Sequence, residues 1–214
     1  MWENRVMFEA VVFDYGRVIS LDPVEESQEE MARLAGVPSG IFEKIRMKYR
    51  DDYDRGSMRG RDYYRKIMRE AGAPAADARD FDALADRIAR IDVHSWAVIN
   101  NETEELMREI KGAGYRLGIL SNMPHDFLEL ERDVFRVFDL CDPCIFSCRC
   151  GFLKPEREIY QVLVDALGCA PDRVVFFDDV PANVEGARGL GITAYLWQGA
   201  GTARENLKNL GILP

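Results

Sequence analysis

The stretch Val174-Val175-Phe176-Phe177-Asp178-Asp179 places four consecutive apolar residues directly before two acidic residues. A short apolar run without polar alternation is typical of a strand buried on both faces, as in a parallel sheet. Four further apolar runs are spread along the chain: 11–13, 117–120, 145–146 and 192–197. Together the five runs predict the strands of a parallel sheet.

Helical patterns separate these runs. Leu106 and Ile110 share one face of a predicted helix over 101–112, and Gly168 and Gly191 follow two further helical patterns. Thr202 and Glu205 have the spacing of a capping box, which predicts the start of a final helix. Alternating strands and helices indicate an α/β fold, a Rossmann-like, doubly wound parallel sheet with helices on both faces.

The region 21–96 differs because it contains no convincing buried strand. It predicts an all-helical insertion after the first strand, and Asp22-Pro23 is expected to open its first helix. The predicted organisation is an α/β core of residues 1–20 and 97–214 with a helical cap of residues 21–96. Within it, residues 43–70 carry ten Lys/Arg and six Asp/Glu. This basic excess fits either contact with an anionic substrate or a solvated helix surface.

Charge and composition exclude several functions. Acidic residues outnumber basic ones by nine among 214 residues, which disfavours nucleic-acid binding. No apolar run approaches the roughly 18 residues of a membrane span, and the first residues lack signal-peptide character. We therefore expect a cytoplasmic protein without a membrane partner. The sequence does not predict its oligomeric state.

Five cysteines occur, four of them clustered at 141, 144, 148 and 150. Partly buried thiols around a short strand are the simpler interpretation, and a zinc site is the alternative.

Polar residues follow the predicted strands. Asp14-Tyr15-Gly16 comes after the first, Ser121-Asn122 after the second and Asp178-Asp179 after the fourth, while Lys154 precedes a helix between the third and fourth. Ligands of open parallel sheets bind beyond the carboxyl ends of the strands, so we expect these residues to meet at one edge.

The chemistry of this set points to phosphoryl transfer. Three neighbouring carboxylates repel one another, and a hard cation such as Mg²⁺ offsets their charge. Ser121, backbone N–H groups and Lys154 supply a cradle for an anion. A metal, an anion cradle and a free carboxylate together predict transfer through an aspartyl-phosphate.

The order of these motifs resembles the haloacid dehalogenase-like hydrolase superfamily. The resemblance rests on residues 11–14, 120–122, 151–155 and 176–183, and the 107-residue gap from Asp14 to Ser121 matches the subclass with a helical cap. Residues 14–19, 154–161 and 177–187 look most like the bacterial α-D-glucose-1-phosphate phosphatase branch. This resemblance implies a Mg²⁺-dependent phosphatase acting on a small phosphorylated metabolite, such as a sugar phosphate.

The resemblance also implies roles for the metal-binding residues. Asp14 would be the nucleophile and a Mg²⁺ ligand, and the Gly16 carbonyl would be a second ligand. Asp179 matches the acid that binds the metal directly. Asp178 matches the neighbouring acid, which would belong to the metal site without a direct bond, for instance through a water molecule, and Asn183 would support this loop.

A second group of roles concerns the phosphate. Ser121 and the Asn122 N–H would hold phosphoryl oxygens, and Lys154 would neutralise charge and restrain the nucleophile. Tyr15 and Gly16 complete the implied phosphate-binding set. Substrate choice would depend on cap residues such as Arg46, Tyr49, Tyr53 and Arg55.

Gly16 departs from the superfamily pattern. Most of its phosphatases carry a second Asp here, which protonates the leaving oxygen, and such acid–base catalysis contributes about 10²–10⁴ in rate. Three explanations stay open: a leaving group that needs little protonation, a substitute such as Asp22, His125 or a cap residue, or a silent phosphometabolite-binding homologue. A metal-independent 2-haloacid dehalogenase is a further alternative, although Asp178-Asp179 argues against it.

Overall fold

A parallel sheet forms the centre of the protein. The computed structural model describes residues 7–74, 80–130 and 136–214, and the sheet within them has five strands. The strands are β1 (Ala10–Phe13), β2 (Arg116–Ser121), β3 (Cys144–Phe146), β4 (Val174–Asp178) and β5 (Thr193–Leu196). Their spatial order is β3-β2-β1-β4-β5, and every pair is parallel.

The two central strands are buried on both faces, as their unbroken apolar runs predict. Alternate residues of β1 enter separate apolar layers, with Phe13 in one and Val12 in the other. In register, Phe13 lies opposite Ile119 of β2 and Phe177 of β4. The carboxyl ends of these three neighbouring strands are therefore level with one another.

The described part of residues 21–96 contains five α-helices, here called the inserted helices, and no strand. Their bounds are α1 (Glu25–Ala35), α2 (Ser39–Lys48), α3 (Arg50–Asp54), α4 (Gly60–Glu70) and α5 (Phe81–Ser95). They form an apolar cluster of their own, centred on Tyr53, Tyr63 and Tyr64, which are fully buried.

The remaining helices flank the sheet. They are α6 (Asn101–Gly112), α7 (His125–Leu130), α8 (Ser147–Cys150), α9 (Arg157–Leu167), α10 (Pro181–Leu190) and α11 (Ala200–Asn209). Leu106 of α6 and Leu207 of α11 pack on one face, and Leu163 of α9 and Val184 of α10 pack on the other. The prediction of an α/β, doubly wound sheet is thus confirmed.

Two predicted helix starts are wrong. Helix α1 begins at Glu25 rather than beside Asp22, because the Asp22 carboxylate accepts a 2.9 Å hydrogen bond from Arg17 instead of capping the helix. Helix α11 begins at Ala200, two residues before the predicted cap Thr202. The turn into the helix is made by Gly199, whose φ of 101° is readily adopted by glycine. In the described part of the chain, every helix is too short or too polar to cross a membrane.

Candidate active site

Three aspartates meet at the carboxyl edge of the sheet. Asp14 follows β1, Asp178 ends β4 and Asp179 comes next. One carboxylate oxygen from each lies within 4.8 Å of the other two. Because β1 and β4 are paired in register, the strand ends alone bring these side chains together.

Lys154 provides the buried positive charge of this cluster. Its Nζ lies 2.7 Å from Asp14 Oδ1 and 2.6 Å from Asp178 Oδ2, and its side chain is 1% exposed. A single ammonium group thus faces two carboxylates directly, with Asp179 close by. The structure therefore brings together four of the predicted site residues, Asp14, Lys154, Asp178 and Asp179.

Burial and the neighbouring charges shift the pKa values of the cluster. Burial raises the pKa of Asp14 to about 7, with Asp178 and Asp179 adding to the rise and Lys154 opposing it. Burial also raises the pKa of Asp179, and Arg17 opposes this shift from 3.7 Å. For Lys154 burial acts to lower the pKa, but Asp14 and Asp178 outweigh it and the pKa rises. The three carboxylates thus face one buried ammonium group and the partly exposed Arg17 side chain.

Asp178 and Asp179 differ in how far their oxygens are occupied. Asp178 accepts hydrogen bonds from the Val180 N–H at 2.8 Å and from the Asn183 amide at 3.0 Å, besides its contact with Lys154. Asp179 forms an ion pair with Arg17, whose side chain is more than half exposed. Asp178 thus anchors the loop, while Asp179 is the more accessible of the two.

The donor set fits Mg²⁺. Mg²⁺ favours carboxylate and carbonyl oxygens, and the cluster offers three carboxylates, of which Asp14 and Asp179 have pKa values raised by burial and by the neighbouring carboxylates. Gly16, the predicted carbonyl ligand, lies in a tight turn over residues 15–19 that also contains Arg17 at φ 60°. Within the described residues the cysteines form no comparable group, and burial raises the pKa of Cys144 and Cys148 to about 11.

Ser121 and Asn122 border a cavity of about 70 Å³, which is lined on another side by the two residues that directly follow Asp14 in the chain. The Asn122 side chain also forms two hydrogen bonds with the backbone of Lys154, which its position in the sequence did not indicate. Its Oδ1 accepts the Lys154 N–H at 2.8 Å, and its Nδ2 donates to the Lys154 carbonyl at 3.0 Å. The Asn122 side chain therefore fixes the backbone of Lys154, in addition to any contact of its own N–H with phosphate.

Tyr15 and Gly16 line the same cavity. The Tyr15 N–H donates to Asp14 Oδ1 at 2.7 Å, while its hydroxyl donates to the Trp96 carbonyl at 2.9 Å. A Cβ atom at Gly16 would lie 3.4 Å from the indole ring of Trp96. The space beside residue 16 is thus bounded by an aromatic ring from the end of the inserted helices.

Two charged residues of the inserted helices reach the cavity without having been predicted. Arg50 of α3 and Asp92 of α5 line it, and Arg50 Nη1 lies 3.7 Å from Asp92 Oδ2. Asp54 holds the Arg50 Nε at 2.8 Å. The basic excess of residues 43–70 was the available signal for Arg50, but Asp92 lies in no motif.

The predicted specificity residues are placed away from the cavity lining. Arg46 pairs with Glu43 at 2.6 Å and approaches Asp92 at 3.7 Å. Tyr53 stacks on Tyr63 inside the helical cluster, and the Tyr49 hydroxyl bonds to Glu70 in the same region. The fourth, Arg55, contacts the loop of residues 151–156. These four described residues therefore do not line the cavity.

The suggested substitutes for a general acid are not at the cavity either. Asp22 pairs with Arg17 and is largely exposed. His125 begins α7, and its Nε2 would lie 2.8 Å from a Cβ at Gly56. Among the described residues that line the cavity, Asp92 is the carboxylate.

Comparisons with known proteins agree with this geometry. A family described as haloacid dehalogenase-like hydrolase matches residues 5–191. The chain is 27% identical over 212 residues to "Phosphatase MT3486" of Mycobacterium tuberculosis, covering 95% of each protein. It is 25% identical over 186 residues to the sesquiterpene phosphatase astK of Aspergillus oryzae, covering 86% of this chain and 87% of that protein.

Solved structures share the fold. A predicted HAD-like hydrolase from Porphyromonas gingivalis has a TM-score of 0.72 at 20% identity, covering 95% and 98% of the two chains. A HAD family enzyme from Bacteroides thetaiotaomicron, in complex with magnesium and inorganic phosphate, has a TM-score of 0.66 at 19% identity, covering 90% and 95%. A 2-haloacid dehalogenase from Pseudomonas syringae has a TM-score of 0.66 at 18% identity, covering 95% and 99%.

The family match spans most of the chain, and both curated relatives named above are phosphatases. The strand-end aspartates and the buried lysine lie within the matched residues. On these grounds the chain belongs to the haloacid dehalogenase-like hydrolases.

Proposed function

We propose that this hydrolase is a Mg²⁺-dependent phosphatase that cleaves a small phosphate ester through an aspartyl-phosphate on Asp14. The observation that carries the proposal is the buried contact of Lys154 with Asp14, in a cluster with Asp178 and Asp179. A site of this kind combines a carboxylate nucleophile with a place for phosphate and for a cation. The names of the relatives support the same reaction class.

The contacts of Asp14 favour one oxygen as the nucleophile. Oδ1 is engaged by the Tyr15 N–H and by Lys154, which leaves Oδ2 to attack phosphorus. The new Oδ2–P bond forms as the P–O bond to the leaving group breaks, and the leaving oxygen keeps the electron pair. Water then attacks phosphorus, the electrons of the Oδ2–P bond return to the Asp14 carboxylate, and inorganic phosphate leaves with the hydroxyl group of that water. The proton that the water loses balances the proton that the leaving oxygen takes up from solvent.

The proposed metal ligands are Asp14, Asp179 and the Gly16 carbonyl, with Asp178 beside them. Bound Mg²⁺ would supply positive charge to the phosphoryl oxygens. Ser121 and the Asn122 N–H hold the remaining phosphoryl oxygens in this proposal, because both residues border the cavity next to Asp14.

The leaving group would occupy that cavity, beneath a cap formed by residues 21–96. Arg50 and Asp92 then face it as donor and acceptor, and Trp96 forms an apolar wall. The motifs shared with the glucose-1-phosphate phosphatase branch make a sugar phosphate the first substrate to test. A closing cap would exclude water and select the leaving group.

The test is phosphate release from a panel of sugar phosphates, nucleotides and phospho-acids, with Mg²⁺ or with EDTA. We expect release that requires Mg²⁺ and is abolished in Asp14→Asn. The matched control is Asp172→Asn, which changes an exposed aspartate before the amino end of β4 and should leave the rate unchanged.

Other outcomes would overturn the proposal. Undiminished phosphate release by the Asp14→Asn variant would show that Asp14 is not the nucleophile. Chloride release from 2-haloacids in EDTA would favour the dehalogenase activity named for one structural neighbour. Tight phosphate-ester binding without turnover across the panel would indicate a silent homologue.

A further inference from the structure

We infer that Arg55 and Glu156 form a positioning pair, through which the inserted helices hold the loop that carries Lys154. Arg55 follows α3, and Glu156 precedes α9, 101 residues further along the chain. The inference rests on the role proposed above for Lys154. It adds that the inserted helices contribute to the placement of this lysine.

The Arg55 guanidinium and the Glu156 carboxylate form a bidentate ion pair. Arg55 Nη2 donates to Glu156 Oε1 at 2.6 Å, and Nη1 donates to Glu156 Oε2 at 3.0 Å. Nη1 also donates to the Gly151 carbonyl at 2.9 Å. A planar guanidinium fork fixes the orientation of a carboxylate, which a lysine at this position could not do.

Glu156 passes this restraint to the loop of residues 151–156. Its Oε2 accepts the Leu153 N–H at 3.0 Å, and its own N–H donates to the Leu153 carbonyl at 2.7 Å. Asn122 holds the next residue, Lys154, from the β2 side. The backbone around Lys154 is thus held on one side by Asn122, which follows β2, and on the other by Glu156, which is itself held by Arg55 of the inserted helices.

A second ion pair also joins the inserted helices to the rest of the chain, and it provides the control for the Arg55–Glu156 pair. Arg59 lies between α3 and α4 and pairs at 2.6 Å with Glu129 of α7. That pair ends on a helix rather than on the Lys154 loop. If the Arg55 contact acted only by joining the inserted helices to the core, loss of either arginine would have similar effects.

The experiment compares Arg55→Ala with Arg59→Ala by amide hydrogen exchange in the metal-free protein. We expect exchange of the Leu153 and Lys154 amides to be about two- to fivefold faster in Arg55→Ala and unchanged in Arg59→Ala. Arg55→Lys, which keeps the charge but not the fork, should lie between. Both alanine variants should melt within a few degrees of the wild type, because the two arginines are partly exposed.

Kinetics then test the consequence for the reaction. We expect kcat to fall about tenfold in Arg55→Ala with a smaller change in KM. Because Arg55 also contacts the Gly151 carbonyl, the double variant with Glu156→Ala should lose more than Glu156→Ala alone but clearly less than the two single losses combined. Equal exchange rates in the Arg55→Ala and Arg59→Ala variants, or additive losses in the double variant, would overturn the inference.

The two readouts separate this inference from the proposed function. Exchange at Leu153 and Lys154 is measurable whether or not the protein is a phosphatase. Faster exchange in Arg55→Ala without phosphatase activity in the wild type would refute the proposed function and keep the pair as a support of the loop.

Discussion

Replacing Asp14 by Asn should stabilise the metal-free protein while removing its activity. Asn has the same shape as Asp, and its Oδ1 can still accept from the Tyr15 N–H and from Lys154. The substitution removes one of three carboxylates that lie within 4.8 Å of one another. Lys154 then keeps its 2.6 Å contact with Asp178 and faces less competing negative charge.

The magnitude follows from the raised pKa of Asp14. Its folded-state pKa is about 7, against an ordinary value of 3.8, so the folded protein binds this proton more tightly than the unfolded chain. The corresponding stability is complete below about pH 4 and is lost as the pH rises towards 7. A pKa shift of this size corresponds to a loss of unfolding free energy on the order of 4 kcal/mol by pH 8. The Asp14→Asn variant does not lose this stability, because its side chain does not ionise.

Urea unfolding in EDTA at pH 4, 6 and 8 measures this difference. We expect the free energy of unfolding of Asp14→Asn to exceed that of the wild type at pH 8 and to match it at pH 4. Asp172→Asn is the control and should show no such dependence. Added Mg²⁺ should raise the wild-type midpoint more than that of the variant. A variant that is less stable than the wild type at pH 8, or equally stabilised at all three pH values, would refute the reasoning.

Three further perturbations test other parts of the molecule. Lys154→Met leaves buried carboxylates without their ammonium partner and should cost about 3–5 kcal/mol of metal-free stability in urea unfolding at pH 8; an unchanged midpoint would contradict the electrostatics. Ser121→Ala should lower kcat/KM for phosphate esters about a hundredfold with little change in melting temperature, whereas an unchanged kcat/KM would remove Ser121 from the phosphate site. Gly56→Ala should lower the free energy of unfolding by about 2 kcal/mol more than Gly72→Ala does. Both glycines have a positive φ, but a Cβ at Gly56 would also lie 2.7 Å from the Cys148 carbonyl oxygen. Equal losses of stability in the two variants would show that the structure relaxes this contact at no cost.

The sheet and its strand ends could be predicted because they depend on local pattern. Apolar runs such as Val174–Phe177 have no polar alternation, and a parallel sheet aligns whatever follows them at one edge. That alignment is enough to predict that Asp14 and Asp178 lie together, as they do in the structure. The same local reasoning failed at Asp22, because a residue that favours a helix cap was instead taken up by Arg17.

The contacts made by the inserted helices could not be predicted from the sequence. Arg50, Asp92 and Trp96 lie far from every strand-end motif in the chain, and their approach to the cavity depends on how helices pack rather than on periodicity. The double hydrogen bond from Asn122 to Lys154 likewise joins two motifs that the sequence treats separately. Spacing identifies the groups that carry the chemistry, but tertiary packing determines which other residues hold them in place.

Position 16 and Asp92 together bear on how the leaving oxygen could be protonated. Gly16 has no side chain to act as an acid, and the Trp96 ring lies 3.4 Å from the point that a Cβ there would occupy, at van der Waals contact. Asp92, the carboxylate among the described residues that line the cavity, is already approached by the guanidinium groups of Arg46 and Arg50 at 3.7 Å. These ion pairs hold Asp92 against the inserted helices. Under the proposed mechanism, esters whose leaving oxygen departs as a stable anion should react faster than simple alkyl phosphates, since no neighbouring acid among the described residues protonates that oxygen.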